Sequence, residues 1–289
     1  MTELLLQTVV NAVYAASFMA LVAVGLVLIF GVMGVINFAH GEFYMLGAYV
    51  VAFAYGGQGM PFLLAVAIGL VFVGGLGLVA ERALFRPLRD NPLGGLIVSI
   101  GLLLVLQAAV AAGFGVRAEN IPSPFRAIIP LTDSVGIPLQ RLLTIVAAIV
   151  LLTGLWLFLK RTRLGVALRA CAQDPEAAAL QGISIDQTAR IAMGVGAALA
   201  GVAGALTAPL VRTYPYMGHS VIVTAFIVII VGGMGSLEGA VIASILYAFL
   251  HTFVTTFADG VTADIVGLLL MLMVLIVRPH GLFGKPDRA

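Results

Sequence analysis

The sequence predicts an all-α polytopic membrane protein with about eight or nine membrane-spanning helical segments. Hydrophobic residues make up 62% of its 289 residues and charged residues only 10%, whereas a soluble domain carries about 25% charged residues. Apolar runs of about 20 residues, the length that a helix needs to cross a bilayer, recur along the whole chain. None of them shows the period-two alternation of a membrane β-barrel strand. We therefore expect helices throughout, in a single transmembrane domain of residues 1–289.

Nine apolar runs are candidate spans. In chain order they are residues 4–31, 37–55, 61–84, 92–114, 139–159, 187–211, 220–235, 237–257 and 262–277. The seventh run is short for a crossing, which leaves the count at eight or nine. In the sixth, Gly196, Ala200 and Gly204 are four residues apart and predict a small-residue face for close helix contact.

The basic residues predict the orientation of the spans, because cytoplasmic loops are enriched in Lys and Arg. Three groups of basic residues follow the third, fifth and ninth spans, and together they hold 11 of the 15 Lys and Arg. They are Arg82, Arg86 and Arg89; Lys160, Arg161, Arg163, Arg169 and Arg190; and Arg278, Lys285 and Arg288. With these groups in the cytoplasm, nine crossings place the N-terminus outside.

The second span contains the most polar group within an apolar stretch: Asn37, His40 and Glu42. A charged side chain at mid-bilayer costs about 2.5–3.5 kcal/mol on insertion scales, so it usually faces protein or water. One hypothesis is that these residues shape or gate a central translocation path. The alternative is a buried network that fixes the packing of the helices.

Two glycine-interrupted runs occupy corresponding places in the two halves of the chain. Residues 29–34 (IFGVMG) resemble residues 230–235 (IVGGMG), and a glutamate follows each run, Glu42 or Glu238. Such paired breaks are typical of the pathway of a transporter, so Gly232, Gly233, Gly235 and Glu238 join the candidate path. The alternative is a chance likeness, or glycines that only allow close packing.

The loop of residues 115–138 holds four prolines, Pro122, Pro124, Pro130 and Pro138. We expect it to be irregular and to lie over the outer membrane surface. It is either a plain connector or a landing surface for an extracytoplasmic binding protein.

The longest polar interruption, residues 160–186, contains a short helix with clear ends. Asp174 is a suitable N-cap, Pro175 suits the first helical position, and Glu176 suits the positive end of the helix dipole. Strong helix formers follow, and Gly182 supplies a left-handed residue that ends the helix; the helix formers are Ala177, Ala178 and Ala179. Ser184 and Gln187 then predict a capping box for the next helix.

A helix of about seven residues is not stable alone in water, because nucleation is costly. The sequence therefore predicts a helix at the membrane edge that is held against a soluble partner. The alternative is an ordinary cytoplasmic loop with a well-capped turn.

These residues also resemble a known family. Glu176, Ala177, Ala178 and Gly182 reproduce the E-A-A-x-x-x-G loop of ABC-importer permeases. Residues 36–49, 164–170, 174–183, 231–240 and 278–284 are similar, in the right order, to branched-chain amino-acid permeases of LivH type. In that family the loop is a coupling helix that sits in a groove of the ATPase.

The resemblance implies a transmembrane permease domain in a bacterial inner (plasma) membrane. It implies ATP-binding ABC subunits, a second permease of LivM type and a periplasmic binding protein that delivers branched-chain or other hydrophobic amino acids. Relatives that carry urea, short amides or aromatic acids remain an alternative. An ion-coupled secondary transporter is the alternative from another class, with Glu42 and Asp264 as its acidic residues.

The sequence carries no sign of chemistry of its own. A P-loop motif, G-x-x-x-x-G-K-[ST], and the zinc motif H-E-x-x-H are both absent from it. We expect no enzyme, cofactor or metal, and a net charge of +2 is too small to indicate nucleic acid. His251, Asp259 and Asp264 fall near the ends of the last two spans, where interfacial positions are expected.

Overall fold

The computed structural model describes residues 1–89, 91–132 and 134–284, apart from the side chain of Pro92. Within these residues the α-helices are α1 (Thr2–Met33), α2 (His40–Val51), α3 (Phe62–Ala80), α4 (Pro92–Phe114), α5 (Leu139–Arg161), α6 (Arg163–Gln173), α7 (Pro175–Leu180), α8 (Ile185–Thr207), α9 (Met217–Gly232), α10 (Leu237–Phe257) and α11 (Gly260–Val277). A π-helical turn, Ala52–Gly57, extends α2, and another, Glu81–Phe85, extends α3. Short 3-10 turns follow at Arg86–Leu88 and Ala208–Leu210.

The nine predicted spans all appear as helical segments, which confirms the polytopic all-α fold. Seven segments, those built on α1, α3, α4, α5, α8, α10 and α11, are long and apolar enough to cross a membrane. The remaining two are shorter: α9 has 16 residues, and α2 has 12 before its π-helical turn. The shortness of the seventh span was predicted. The second glycine-interrupted run ends this helix, α9, whereas the first run ends the long helix α1 and precedes α2.

The first break lies between α1 and α2. Helix α1 ends where Gly34 adopts the left-handed conformation, at φ 65°, and residues 34–37 form no helix. Ser99 of α4 satisfies part of this free backbone: its hydroxyl lies 3.4 Å from the carbonyl oxygen of Ile36 and accepts from the N–H of Phe38 at 3.2 Å. Irregular backbone within a membrane requires such protein partners.

Helix α8 forms the centre of the bundle and packs against α1, α2 and α3. The predicted small-residue face is confirmed. A Cβ atom at Gly196 would meet the carbonyl oxygen of Gly25 at 2.6 Å, and one at Gly204 would overlap the carbonyl oxygen of Tyr44. Backbones therefore touch across these interfaces, which only residues without a side chain permit.

The helices place different loops at two ends of the bundle. At one end, the Glu3 carboxylate accepts from Ser134 at 2.6 Å, which joins the N-terminus to residues 115–138; we name this the outer end. At the other, the N–H groups of Leu282 and Phe283 donate to Val231 and Gly232 at 2.9 and 3.0 Å. That second end also holds α6 and α7, and we name it the inner end.

The start of the chain and the tail after α11 therefore lie at opposite ends, as an odd number of crossings, seven or nine, requires. The predicted basic residues Lys285 and Arg288 lie outside the described residues.

The outer loop is more regular than its prolines predict. Strands β1 (Ile128–Pro130) and β2 (Gly136–Pro138) pair antiparallel, with Ile129 opposite Ile137. Pro130 and Pro138 stand at the ends of this two-stranded ribbon, where a missing N–H breaks no continuous ladder. A second pairing joins Glu119 to Thr213, with N–H···O distances of 2.8 and 2.9 Å. The expectation of an irregular loop was therefore wrong for this part.

Candidate functional site

The predicted short helix of residues 174–182 forms as α7, with six residues. The Asp174 carboxylate accepts from the N–H of Ala177 at 2.9 Å, and Pro175 occupies the first position. Gly182 has φ 79°, and the N–H of Ile183 donates to the carbonyl oxygen of Ala178 at 3.1 Å. The start and the end of the helix thus follow from its own local residues.

Helix α7 makes few contacts with the rest of the chain. Ala178 is its only buried residue, and Glu176 is exposed. The Leu180 side chain is apolar and yet 86% exposed. A six-residue helix without packing of its own is not stable in water, so this surface is suited to contact with another protein.

The preceding helix, α6, is the platform that carries α7, and sequence analysis missed it. Thr162 caps it by accepting from the N–H of Gly165 at 3.0 Å. Gly165, Leu168 and Cys171 recur every three residues and are buried. A Cβ atom at Gly165 would overlap the carbonyl oxygen of Phe158, so α6 turns back tightly onto α5. The three-residue spacing and the threonine cap are signals from which it could have been found.

The following helix, α8, begins at the predicted cap. The Ser184 hydroxyl accepts from the N–H of Gln187 at 3.3 Å.

In the first turn of α8, Asp186 forms ion pairs with Arg86 and Arg89, which follow the π-helical turn at the end of α3. Arg89 also pairs with the buried Glu81 at 2.8 Å. We name Asp186, Arg86, Arg89 and Glu81 the Asp186 clamp.

The Asp186 clamp joins the end of α3 to the start of α8, next to the segment that leads from α7. The sequence predicts only a cytoplasmic position for Arg86 and Arg89. Asp186 lies about 100 residues further along the chain, so no local pattern reveals the pairing.

Asn37 and His40 lie in the middle of the bundle and are fully buried. The Asn37 amide oxygen accepts from the N–H of Ala39 at 3.1 Å, which helps to start α2. His40 Nε2 donates to the carbonyl oxygen of Val22 on α1 at 3.0 Å. Val22 is eleven residues before the end of α1, which at the α-helical rise is roughly 16 Å from the inner end.

Glu42, also fully buried, joins three helices. Its Oε1 accepts from the Gln107 amide of α4 at 2.9 Å. The same oxygen would lie 2.8 Å from a Cβ atom at Gly218, in the first turn of α9, where a negative charge meets the positive end of the helix dipole. Among the described residues, Glu42 Oε2 and His40 Nδ1 have no hydrogen-bond partner. The cluster therefore links α2 to α1, α4 and α9, and it leaves two polar atoms without a partner among the described residues.

The second glycine-interrupted run forms a turn at the inner end. Helix α9 ends at Gly232, and Gly233 and Gly235 have φ values of 105° and 91°. The Ser236 hydroxyl then accepts from the N–H of Gly239 to start α10, at 3.0 Å. Glu238, in the first turn of α10, is exposed.

The structure does not bring this turn to the buried Asn37, His40 and Glu42. It does bring the two glycine-interrupted runs together: a Cβ atom at Gly31 would lie 3.6 Å from Ala172 of α6 and 3.9 Å from Gly235. The two breaks therefore meet beneath the platform of α7. Only the first of them leads to non-helical backbone deep in the bundle.

Within residues 1–89, 91–132 and 134–284, no three His, Cys, Asp or Glu side chains are grouped so that they could hold a metal ion.

Comparisons with known proteins agree along almost the whole chain. Residues 8–277 match the family described as the branched-chain amino acid transport system / permease component. The chain is 32% identical to the high-affinity branched-chain amino acid transport system permease protein LivH of Salmonella typhimurium, over 98% of this chain and 96% of that protein. It is 33% identical to the permease protein BraD of Pseudomonas aeruginosa, with the same coverage.

Two more distant similarities extend this result. The permease protein LivM of Escherichia coli is 26% identical, over 91% of this chain and 67% of that protein. Among solved structures, PsaBC from Streptococcus pneumoniae in complex with Fab has a TM-score of 0.52 at 15% identity, and the match covers 94% of this chain and 92% of that chain. At this identity the likeness is one of fold alone.

Proposed function

Because the chain belongs to the family of branched-chain amino acid transport permeases, we propose that it is the membrane subunit of an ABC importer that translocates branched-chain and other hydrophobic amino acids. Family membership supports this proposal, since LivH and BraD are named as branched-chain amino acid permeases and the match covers 96% of each. The observation that carries the link to an ATPase is the exposed helix α7. The protein as a whole lies in the bacterial inner membrane.

Helix α7 is the element on which an ATP-binding subunit docks. Its length requires an outside partner, and Leu180 offers an apolar anchor on its exposed side. The contact includes the motif residues of the family loop, which are Asp174, Pro175, Glu176, Ala177, Ala178 and Gly182. ATP hydrolysis belongs to the partner subunit, so this chain is not an enzyme.

Movement of α7 reaches the rest of the bundle by two routes. Helix α6 packs tightly on α5 through Gly165. The Asp186 clamp ties the start of α8 to the end of α3. Since α8 packs against α1, α2 and α3, a tilt of α8 changes the surroundings of His40 and Glu42. Access then switches between the outer and the inner end.

The remaining partners follow from the same assignment. A paralogous permease of LivM type supplies the other half of the pore, as the similarity to LivM suggests. A periplasmic binding protein docks on residues 115–138, and membrane lipid surrounds the apolar faces. No nucleic acid or cofactor takes part. Urea, short amides or aromatic acids remain the alternative substrates.

Cysteine crosslinking tests the proposed docking. We expect a cysteine at Leu180 to crosslink to the ATP-binding subunit in the assembled transporter, because this side chain is 86% exposed on α7. Val261→Cys is the matched control, since Val261 is 70% exposed but lies at the outer end. Crosslinks are detected by gel mobility and mass spectrometry.

Absence of a crosslink at Leu180, or an equal crosslink at Val261, would contradict docking on α7. A second readout separates the two classes of transporter. Uptake that survives ATP depletion but stops with an uncoupler would identify an ion-coupled secondary transporter instead.

Glu42→Ala is expected to impair transport more than assembly. The substitution removes one hydrogen bond, to Gln107, and loss of one partner of a buried bond costs about 1–3 kcal/mol. The backbone contacts of α2 with α8 remain, so the complex forms. Uptake is compared with the amount of purified complex.

Gln107→Leu is the control for Glu42→Ala, because it removes the same hydrogen bond but keeps the carboxylate. Loss of the assembled complex in Glu42→Ala would instead assign Glu42 to packing.

A further inference from the structure

A cavity of about 240 Å³ lies between α1, α9, α10 and α11. Its apolar wall includes Phe18, Met19 and Val22 of α1 and Val221 of α9. Of these residues only Val22 also contacts a site described above. Val22 lines the cavity with its side chain, and its carbonyl oxygen accepts from His40. The cavity is thus separated from the buried polar cluster by the backbone of α1.

One part of the cavity is polar. Ser220 and Thr224 are four residues apart on α9, so their hydroxyl groups lie on one face of the helix. His251 of α10 faces Asp264 of α11, with 3.0 Å between Nε2 and Oδ1. The Asp264 side chain is 71% exposed. A carboxylate in this position faces water or a ligand rather than lipid, since charged side chains in membrane segments avoid lipid.

The cavity lies toward the outer end of the bundle. Asp264 is in the second turn of α11, and α11 starts at the outer end, directly after α10. A solute that arrives from the outer side therefore meets Asp264 first, and it meets Ser220 and Thr224 near the level of His40, since the start of α9 lies against Gly41.

We propose that this cavity is a transit site for the hydrophobic amino acid, a proposal that rests on the function proposed above. Small-molecule sites are mostly apolar with a few placed polar groups. Here the polar part of the cavity matches the charged groups of an amino acid, and the apolar wall matches its side chain. Asp264 attracts the α-ammonium group, while the hydroxyl groups of Ser220 and Thr224 and the His251 ring face the α-carboxylate. The hydrocarbon side chain packs against Phe18, Met19, Val22 and Val221.

Two other occupants fit the chemistry less well. A lipid acyl chain matches the apolar wall but offers nothing to the exposed carboxylate of Asp264. A helix of the second permease could cover the same opening. A substitution that fills the cavity would then prevent the second permease from joining the complex. The experiment separates these occupants from an amino acid.

The test uses the complete transporter in liposomes, with both permeases, the ATP-binding subunits and the binding protein, and measures leucine uptake. Val221→Trp fills the cavity and is expected to lower leucine uptake at least tenfold, since misfits of one methylene in an apolar pocket already change selection by about 10–200-fold. Val223→Trp is the matched control: Val223 lies on the same helix, is 39% exposed and does not line the cavity. It should transport leucine like the unmodified protein.

Two further variants examine the ligand contacts. Val221→Ala enlarges the cavity and is expected to raise the uptake of phenylalanine relative to leucine. Asp264→Asn should lower leucine uptake, and Asp264→Glu should restore part of it. In each variant, ATP hydrolysis in detergent shows that the complex is intact.

Leucine uptake by Val221→Trp at the unmodified rate would overturn the proposal. So would loss of the second permease from the purified Val221→Trp complex, because the cavity would then be an interface between permeases. Unchanged selectivity in Val221→Ala would overturn it in favour of a lipid-filled space. A transporter whose unmodified form carries no hydrophobic amino acid would instead refute the proposed function.

Discussion

Gly47→Val is expected to prevent the bundle from folding. Helix α2 meets α8 backbone to backbone, and a Cβ atom at Gly47 would overlap the carbonyl oxygen of Gly201. One turn away, Gly204 makes the same kind of contact with Tyr44. Extra methylene groups in a packed core cost about 1–3 kcal/mol where side chains can move aside. A carbonyl oxygen held within a helix cannot do so, and the cost here is therefore at or above that range.

The yield of monodisperse protein in detergent and its thermal stability measure this effect. Gly75→Val is the matched control, because Gly75 lies in α3 and a Cβ atom there meets nothing within 4 Å. The control thus adds the same side chain at a helical position where the side chain meets no neighbouring atoms. Equal yields of the two variants would show that α2 and α8 do not pack as described.

Asp186→Asn is expected to uncouple ATP hydrolysis from transport while the protein still folds. The substitution removes both ion pairs that tie α8 to Arg86 and Arg89. Exposed ion pairs contribute only about 0–1 kcal/mol each to stability, so the amount of folded protein changes little. We expect transport to depend on this link, because it joins the start of α8 to the end of α3. We expect uptake to fall on the order of tenfold, which lies within the 1–3 kcal/mol typical of coupling between sites.

The measurement compares uptake per ATP hydrolysed in liposomes. A double-mutant cycle with Arg86→Gln provides the internal check, since residues that act as one unit have non-additive effects. The double variant should be no worse than Asp186→Asn alone. Asp259→Asn is the control for the loss of one negative charge. Asp259 caps α11 at the outer end, and asparagine is an equally good cap, so this variant should remain coupled.

Additive losses in the double-mutant cycle, or full coupling in Asp186→Asn, would remove the Asp186 clamp from the route of transmission. The docking of α7 would be unaffected by that outcome, because its test rests on the crosslink at Leu180.

Local residues were enough to predict every helix described here except α6, and α7 is the clearest case. Asp174, Pro175 and Gly182 each act within a few residues of their own position, and the structure has the cap, the first turn and the left-handed end where they were expected. The spans were equally predictable, because a bilayer requires about 20 apolar residues whatever the neighbouring helices do. Helix α6 was missed since the loop was expected to hold only one helix.

Predictions that compared distant parts of the chain did not capture how each part is packed. The runs at residues 29–34 and 230–235 look alike, yet the second ends at a turn that the tail covers, whereas the first opens into a segment supported by Ser99. The difference comes from neighbours that are remote in sequence. The same holds for Glu42, whose partners are Gln107 and the start of α9.

By itself, the sequence determined that this is a helical membrane protein, where its spans lie, and that a short capped helix stands at the inner end. These properties depend on hydropathy and on caps, which act over a few residues. Only the tertiary structure decided that α8 is central, that Asp186 joins α3 to α8, and that a cavity with a polar part lies beside α1. Those properties depend on contacts between residues far apart in the chain, and such contacts exist only once the helices pack.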